Sequence, residues 1–335
     1  MSIVKLKNPP SVISSASVVG KKEFDGPLGD LFDLHDEKDD FGQKSWEQSE
    51  AEMQRLALNL ALAKGETDET ALDAIFAGDL INQCTSSNYG LLSYQVPFFG
   101  LYGACSTCAE GLTLAAMLIS GGIYRRCAAV TSSHNCSAER QFRFPLEYGG
   151  QRTPTAQWTV TGAGAFILDA QGNGPYITEV MPGISMDRGI TDINNMGAAM
   201  APAAADTLER YFRESHADPA SFDRIITGDL GYEGHGIVLD LLKEKGYDIS
   251  ANYNDCGLLI YSRTAQDMHA GGSGCGCSAT VLSAYLMREL KTGAMRNILF
   301  LVTGALMSPM AVLQKQSIPG IAHLVHLSGE RNAQS

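Results

Sequence analysis

The 335-residue sequence has no long apolar run, no excess of positive charge and no arrangement of paired cysteines typical of a small disulfide-stabilised protein. No stretch approaches the roughly 20 consecutive apolar residues that a membrane-spanning helix requires. The N-terminal residues include Lys5 and Lys7 without an apolar segment, so a secretory signal is not expected. The formal net charge of −12 argues against nucleic acid as a general partner. A few arginines can still line a pocket for a small anion in such a protein.

The cysteines and the acidic residues do not indicate a metal site. The eight cysteines in a long chain without a signal predict free thiols in a reducing compartment. Cys105 and Cys108 have C-x-x-C spacing, but no second pair at zinc-finger spacing follows, and Cys108 is interpreted as a core residue. The acidic run at residues 33–40 lacks the glycine and the spacing of an EF-hand loop. We therefore predict neither a metal nor a cofactor.

A short apolar run that ends in Gly-Asp-Leu occurs twice, at residues 74–80 and 224–230. Each copy is typical of a buried strand and follows a predicted helix, at residues 45–64 and at residues 197–213. Ser45 begins the first of these helices and has capping-box spacing to the glutamine three residues later. Self-similarity over this distance predicts two related halves.

A second pair of similar segments lies further along each half. Residues 103–108, Gly-Ala-Cys-Ser-Thr-Cys, are echoed by residues 272–277, Gly-Ser-Gly-Cys-Gly-Cys. Both segments open predicted helices, at residues 112–119 and 279–290, that are small or aliphatic on nearly every face and are therefore expected to be buried. The strands predicted to follow are at residues 127–131 and 159–168 in one half, and at residues 298–303 and 318–327 in the other.

The order helix, strand, buried helix, strand, strand predicts mixed α/β layers in each half. Neither apolar helix can face water, so the two halves are expected to stack these helices against each other between two sheets. The result is a five-layered α-β-α-β-α architecture. One half is predicted over residues 1–182, with an inserted loop at residues 132–157, and the other over residues 183–335.

This pattern is similar to that of the thiolase superfamily. Residues 195–202, Asn-Met-Gly-Ala-Ala-Met-Ala-Pro, resemble the Met-Gly…Pro loop that opens the second half of thiolases, and Cys105 lies where those enzymes carry the acyl-accepting cysteine. Within the superfamily, the chain resembles almost end to end a family of sporulation proteins from endospore-forming bacteria. The blocks that carry this closer resemblance are Asp-Gly-Pro-Leu-Gly at 25–29, Gly-Ala-Cys-Ser-Thr at 103–107, Thr-Ser-Ser-His-Asn at 131–135, Ala-Glu-Arg-Gln-Phe-Arg at 138–143, Glu-Tyr-Gly-Gly-Gln at 147–151, Met-Ala-Pro-Ala-Ala-Ala-Asp at 200–206 and Ala-Gly-Gly-Ser-Gly-Cys at 270–275.

The resemblance implies a non-enzymatic protein of the thiolase fold that binds dipicolinic acid, pyridine-2,6-dicarboxylate. It also implies action with membrane proteins of the same operon in loading that compound into the developing spore. The chain would then lie at the cytoplasmic face of a spore or forespore membrane as a peripheral protein. A homodimer is expected by analogy with thiolase-like proteins. The sequence leaves open whether the ligand is bound as its calcium salt.

The expected active-site partners of Cys105 differ from those of the enzymes. Condensing enzymes of similar fold pair the cysteine with a His and an Asn, or with two His, from the second half. Asp229 stands near the position of the His, and Ser273 near that of the Asn. A carboxylate beside a thiol raises the thiol pKa and repels an oxyanion, so we predict that acyl transfer is lost. His235, or else His134 or His269, is the alternative base that would retain it.

The inserted loop carries the groups expected to hold a dicarboxylate. Connections of this length are usually functional or disordered, and this one contains several aromatic residues together with Arg140, Arg143 and Arg152. Arginine suits a carboxylate because its guanidinium can form two parallel hydrogen bonds. Alternatively, these arginines pair with Glu139 and Glu147 and only fix the loop. The predicted ligand-binding set is Cys105, His134, Asn135, Arg140, Arg143, Asp229 and Ser273.

Three functions therefore compete at this stage. The first is a dipicolinate-binding protein of spore formation, and the second is a Cys105-dependent acyltransferase or condensing enzyme. The third is a scaffold whose pocket is vestigial. The fold cannot choose among them, because function depends on the site. The altered partners of Cys105 disfavour the second, and the arginine-bearing loop disfavours the third.

Overall fold

A computed structural model describes residues 2–142 and 152–331. Predicted helices and strands of both halves are present in it, with small shifts at their ends. The helices, numbered in chain order, are α1 (Lys21–Phe24), α2 (Trp46–Lys64), α3 (Thr85–Gly90), α4 (Thr107–Ser120), α5 (Asn135–Phe142), α6 (Met196–Ser215), α7 (Gly231–Glu244), α8 (Cys256–Leu259), α9 (Cys275–Val281), α10 (Met287–Thr292) and α11 (Pro309–Leu313). A π-helical turn, Leu282–Leu286, joins α9 to α10.

The strands are short and bounded by turns. They are β1 (Val4–Lys5), β2 (Ser11–Gly20), β3 (Leu34–Asp36), β4 (Ala74–Gly78), β5 (Phe98–Gly100), β6 (Arg126–Ser133), β7 (Trp158–Thr159), β8 (Gly162–Asp169), β9 (Tyr176–Met181), β10 (Arg224–Thr227), β11 (Tyr253–Asp255), β12 (Gly272–Ser273), β13 (Asn297–Ala305) and β14 (Gly320–Ser328).

Ten of the twelve strands of the main sheet form two five-stranded parts with the same order and the same strand directions, while β1 pairs with β9 and β3 pairs with β2. The first part runs β5-β4-β6-β8-β2 and the second runs β11-β10-β13-β14-β9. In each part the first three strands are parallel, and the remaining two pair antiparallel. The parts join where Ser11 of β2 pairs with Tyr176 of β9. Because β9 precedes residue 183 and yet lies in the second part, the boundary between residues 182 and 183 stays a prediction.

The predicted five layers are confirmed by the three main hydrophobic clusters. The central cluster places Leu112 and Ile119 of α4 with Val281, which ends α9, and with Phe300 of β13, so these helices lie between the two parts of the sheet. A second cluster packs α2 on the outer face of the first part. A third packs α6 on the outer face of the second part, and it contains the fully buried Tyr211.

Local signals account for where the principal helices begin and end. Ser45 accepts a hydrogen bond from the backbone N–H of Gln48, which caps α2 at its predicted start. Asp218 caps the short 3₁₀ turn Pro219–Ser221 in the same way. The helix that runs through α10 ends at Gly293, whose φ of 76° is the left-handed conformation typical of a helix terminus.

All eight cysteines are free thiols, as the sequence predicts. Across residues 2–142 and 152–331, no helix has both the length and the apolar character needed to cross a bilayer. The same residues contain no group of three or more His, Cys, Asp or Glu side chains arranged to hold a metal ion.

Candidate functional site

Cys105 lies in a tight turn between β5 and α4, at the centre of the molecule. Ala104 has a φ of 51°, which is an unfavourable conformation for a residue with a side chain. Two hydroxyl groups hold the turn: Ser106 Oγ donates to the Gly103 carbonyl at 2.7 Å, and Thr107 Oγ1 donates to the Ala104 carbonyl at 2.7 Å. Each of these two hydrogen bonds joins a residue after Cys105 to a residue before it, and together they maintain the unfavourable conformation of Ala104.

The second half presses directly against this turn. A Cβ atom added at Gly304, near the end of β13, would lie 2.4 Å from the Gly103 carbonyl oxygen. Only glycine permits so close an approach of the two backbones. The close approach brings residues that follow the strands of the second half beside Cys105.

Asp229 is the group from the second half that faces the Cys105 thiol. It follows β10 in the Gly-Asp-Leu turn and is fully buried. Its carboxylate accepts hydrogen bonds from the Gly274 N–H at 2.9 Å, from Thr303 Oγ1 at 2.8 Å and from Ser273 Oγ at 3.2 Å. The Cys105 thiol interacts with the same carboxylate, and this interaction affects the pKa of both groups. The resemblance to condensing enzymes implied that Asp229 and Ser273 stand near Cys105.

The environment keeps the Cys105 thiol protonated. Burial raises the pKa of this thiol well above its ordinary value, and the charge of Asp229 and the hydrogen bond to it raise the pKa further. Burial also raises the pKa of Asp229, and its hydrogen bonds, the one from Cys105 first, oppose that rise. A thiol with a raised pKa is a poor nucleophile at neutral pH, because the thiolate is the reactive form.

A second buried carboxylate, Asp255 at the end of β11, holds the Asp229 turn in place. It accepts hydrogen bonds from Thr227 Oγ1 at 2.7 Å and from the N–H groups of Leu230 and Gly231 at 2.9 and 3.0 Å. Burial raises the pKa of Asp255 to about 7, with a contribution from the charge of Asp229. The turn that carries Asp229 is thus fixed by a side-chain hydroxyl before it and by backbone N–H groups after it.

A cavity of about 280 Å³ opens beside Cys105. One wall is aromatic and apolar, with Tyr102, Phe142, Met196 and Met307. The polar wall contains Glu139, Arg152, Thr153, Gln157, Thr159, Asn194 and Ser273. The cavity therefore combines flat apolar surface with several hydrogen-bonding groups, as small-molecule sites commonly do.

The structure places His134 and Asn135 behind the cavity, outside its lining residues. His134 is fully buried, its Nε2 donates to the Asp39 carbonyl at 2.9 Å, and its Nδ1 accepts from the Cys136 N–H at 3.1 Å. Both ring nitrogens are thus engaged, and burial lowers the pKa of this imidazole. Asn135 Nδ2 donates to the Thr159 carbonyl at 3.2 Å.

Unlike Cys105 and Ser273, the arginines predicted to bind the ligand are not among the described residues that line the cavity. Arg140 forms an ion pair with Glu47 of α2, and its side chain is 53% exposed. It is absent from the described cavity lining, and Glu47, its partner among the described residues, was not considered from the sequence. Arg143 lies outside the described residues.

None of the histidines, all of which belong to the described part of the chain, lines the cavity. His235 stacks on Tyr253, with ring centroids 4.4 Å apart. His269 Nε2 lies 3.1 Å from the Asp267 carboxylate, and its side chain is about half exposed. The structure therefore does not bring an imidazole to Cys105.

Sequence reasoning did not identify several lining residues as site residues. Asn194 lies just before α6, and Met307 lies just after β13. Gln157 is almost fully buried, and its Nε2 donates at 2.7 Å to the carbonyls of both Asp229 and Gly272. The duplication could have indicated Met307. It lies just after β13, and the equivalent strand of the first half, β6, leads into the inserted loop.

Comparisons with known proteins show the family of the chain. The family model described as stage V sporulation protein AD matches residues 1–328. The chain is 44% identical over 317 residues to stage V sporulation protein AD of Bacillus subtilis (strain 168), covering 95% of this chain and 94% of that protein.

Solved structures of condensing enzymes are similar in fold. One is 3-oxoacyl-[acyl-carrier-protein] synthase III from Aquifex aeolicus VF5, with a TM-score of 0.57, 13% identity, and coverage of 94% of this chain and 99% of that chain. Another is cerulenin-bound OleA from Xanthomonas campestris, with a TM-score of 0.60, 13% identity, and coverage of 96% and 98%. At this identity the likeness establishes the thiolase-type fold alone.

Proposed function

Because the chain belongs to the stage V sporulation protein AD family, we propose that it binds dipicolinic acid in the cavity beside Cys105 and does not catalyse acyl transfer. The observation that carries the proposal is the pairing of Cys105 with Asp229 in place of a base. The family's place in sporulation and the resemblance to dipicolinate-binding proteins supply the identity of the ligand.

The cavity has the size and the surfaces that a planar dicarboxylate needs. Its volume of about 280 Å³ is slightly below the roughly 300–1,000 Å³ range of drug-sized ligand sites, which suits a single ring with two carboxylates. Tyr102 and Phe142 offer flat surfaces for the ring. Asn194 offers amide N–H donors for carboxylate oxygens, whereas the Ser273 hydroxyl already donates to Asp229.

The chemistry around the thiol supports binding over catalysis. A condensing reaction needs a base or donor pair that stabilises negative charge on a thioester oxygen. Asp229 presents negative charge at this point, and it keeps the pKa of Cys105 high. Both effects oppose the formation of an acyl-enzyme, whereas neither prevents a ligand from filling the cavity.

Calorimetric titration of the unaltered protein with dipicolinate, and separately with pyridine-2,4-dicarboxylate, tests this proposal. We expect saturable binding of the 2,6-isomer and at least tenfold weaker binding of the 2,4-isomer. Asn194→Ala removes amide donors from the cavity and should weaken binding by about 2- to 10-fold. Asn173→Ala, at an exposed position between β8 and β9, is the matched control. Absence of binding, or equal binding of both isomers, would overturn the proposal.

The alternative is an acyltransferase or condensing enzyme that uses Cys105. Its support is the structural similarity to condensing enzymes and the location of Cys105 just before a buried helix. Incubation with acetyl-CoA and with malonyl-CoA, followed by mass spectrometry, separates the two functions. Our proposal predicts that Cys105 stays unmodified, and an acyl adduct on Cys105 that is absent from Cys105→Ala would establish the alternative.

Association with membrane proteins of the same operon, peripheral placement at a spore or forespore membrane, and a homodimer complete the proposal. These partners follow from the resemblance. Co-purification of the chain with its operon partners from detergent-solubilised sporulating cells tests the membrane association. If the partners do not co-purify even after cross-linking, the proposed association is contradicted.

A further inference from the structure

Arg152 is placed where the proposed ligand would need a cation. It is the only Lys, Arg or His among the cavity-lining residues that the structure describes. Its side chain is only 16% exposed, so a charge–charge contact here is screened less than one at the surface. This position on the cavity wall distinguishes it from Arg140, which faces Glu47.

The guanidinium of Arg152 is held on one side by neutral groups. It lies 4.9 Å from the ring centroid of Trp158, Nη2 donates to the Asp267 carbonyl at 2.9 Å, and Nη1 contacts Met268 Sδ at 3.7 Å. Stacking on an indole and bonding to a carbonyl orient the guanidinium without neutralising it. A guanidinium has five N–H donors, so these contacts leave donors for an anion.

The Asp267 carboxylate does little to neutralise this charge. Asp267 Oδ2 lies 3.9 Å from Arg152 Nη2, and the Asp267 side chain is 77% exposed. This distance is too long for a hydrogen bond, and water around the exposed Asp267 carboxylate screens its charge. A second cation adds to the positive potential, since Lys22 Nζ lies 4.7 Å from the centroid of the same Trp158 ring.

We infer that Arg152 is the carboxylate anchor of the cavity and that Trp158 is its positioning residue. This inference rests on the proposed function and deepens it, since it assigns the charge recognition of an aromatic dicarboxylate to one side chain. Arg152 binds a ligand carboxylate through donors that the Asp267 carbonyl does not use. Trp158 holds the plane of the guanidinium and so sets the direction of those donors.

The test compares two ligands of nearly the same shape, dipicolinate and its neutral diamide, pyridine-2,6-dicarboxamide, by calorimetry. In the unaltered protein we expect dipicolinate to bind more tightly than the diamide. Arg152→Gln should weaken dipicolinate binding by about 10- to 100-fold, as expected for the loss of charged hydrogen bonds, and should leave diamide binding within about twofold. Arg152→Lys retains the charge without the forked donors and should give an intermediate loss.

Matched variants separate anchoring from a general structural effect. Arg213→Gln removes an exposed arginine that pairs with Glu209 on α6, far from the cavity lining, and should leave both affinities unchanged. Trp158→Leu should weaken dipicolinate binding by about 2- to 5-fold and diamide binding less, and Trp158→Phe should restore most of this loss.

The possible failures are distinguishable. If Arg152→Gln leaves dipicolinate binding unchanged, or weakens both ligands equally, Arg152 is not the anchor and the inference is overturned while the proposed function stands. If the unaltered protein binds neither ligand, the proposed function fails and the inference fails with it.

Discussion

Replacing Asp229 by asparagine should make Cys105 reactive. The substitution removes the negative charge that faces the thiol and keeps a side chain of nearly the same shape. The charge and the hydrogen bond of Asp229 both raise the pKa of Cys105, after burial as the largest cause. Because Asp229→Asn removes the charge and leaves the burial, the thiol pKa should fall without reaching that of an exposed cysteine.

The magnitude follows from the contact between the two groups. Two unit charges about 4 Å apart interact by about 4 kcal/mol at an effective dielectric constant of about 20. About 1.4 kcal/mol corresponds to one pKa unit, so the charge accounts for up to about three units. The thiolate fraction then rises by up to about 1,000-fold. Since the intrinsic reactivity of a thiolate falls with its pKa, with a slope of about 0.5, the net gain in alkylation rate is about 30-fold.

The assay is the rate of iodoacetamide modification of the native protein, followed at each cysteine by peptide mass spectrometry between pH 7 and pH 10. Cys108 is the internal control, because it lies close to Cys105 at the start of α4, is buried, and has a pKa raised to about 12 without a carboxylate among the causes. A gain at Cys105 alone confirms the effect of the charge. Equal rates at Cys105 in both proteins would refute the reasoning, and equal gains at Cys105 and Cys108 would mean that the variant unfolds.

Three further predictions concern the stability of the fold. Burial raises the pKa of Glu50 from its ordinary 4.5 to about 8, with a second contribution from the charge of Asp79. The contribution of protonated Glu50 to the stability of the folded protein is therefore complete below pH 4.5 and is lost as the pH rises to about 8. Glu50→Gln should therefore flatten the fall in urea midpoint between pH 5 and pH 9, and an unchanged slope would contradict the assignment. Ser45→Ala removes the cap of α2 and should lower the free energy of unfolding by about 1 kcal/mol in urea, with no change expected if the cap were unimportant. Gly304→Ala forces a methyl group against the Gly103 carbonyl and should lower that free energy by about 1–3 kcal/mol, and a stability equal to that of the unaltered protein would disprove the close approach.

The fold was predictable because short, distinctive segments occur twice in the sequence. The Gly-Asp-Leu turns and the two small-residue helices recur at matching places in the two halves. Both helices are apolar on nearly every face, so both had to be buried. The strands at which the two parts of the sheet join, β2 and β9, were not predicted. β2, Ser11–Gly20, carries four buried serines that interrupt the apolar pattern of a central strand. One of them, Ser14, satisfies its hydroxyl by donating to the Ala61 carbonyl at 2.7 Å, which is a tertiary contact that the sequence does not reveal.

The candidate site was predictable only in part. The positions of Cys105, Asp229 and Ser273 follow from their places after strands or before buried helices, and these places are set by the backbone. The orientation of an arginine in a long insertion depends instead on how the insertion docks. Arg140 lies on α5, and that helix turns it towards Glu47 of α2, 93 residues earlier in the chain. Only the assembled structure distinguishes this surface arginine from Arg152, which lies on the cavity wall.

The most direct measurement is a crystal structure of the protein grown with dipicolinate and acetyl-CoA together. We predict density for a planar ring in the cavity beside an unmodified Cys105, with one carboxylate within hydrogen-bond distance of Arg152. An acetyl thioester on Cys105, or a cavity without the dicarboxylate, would contradict the central claim that this duplicated fold uses its thiol site to hold a ligand.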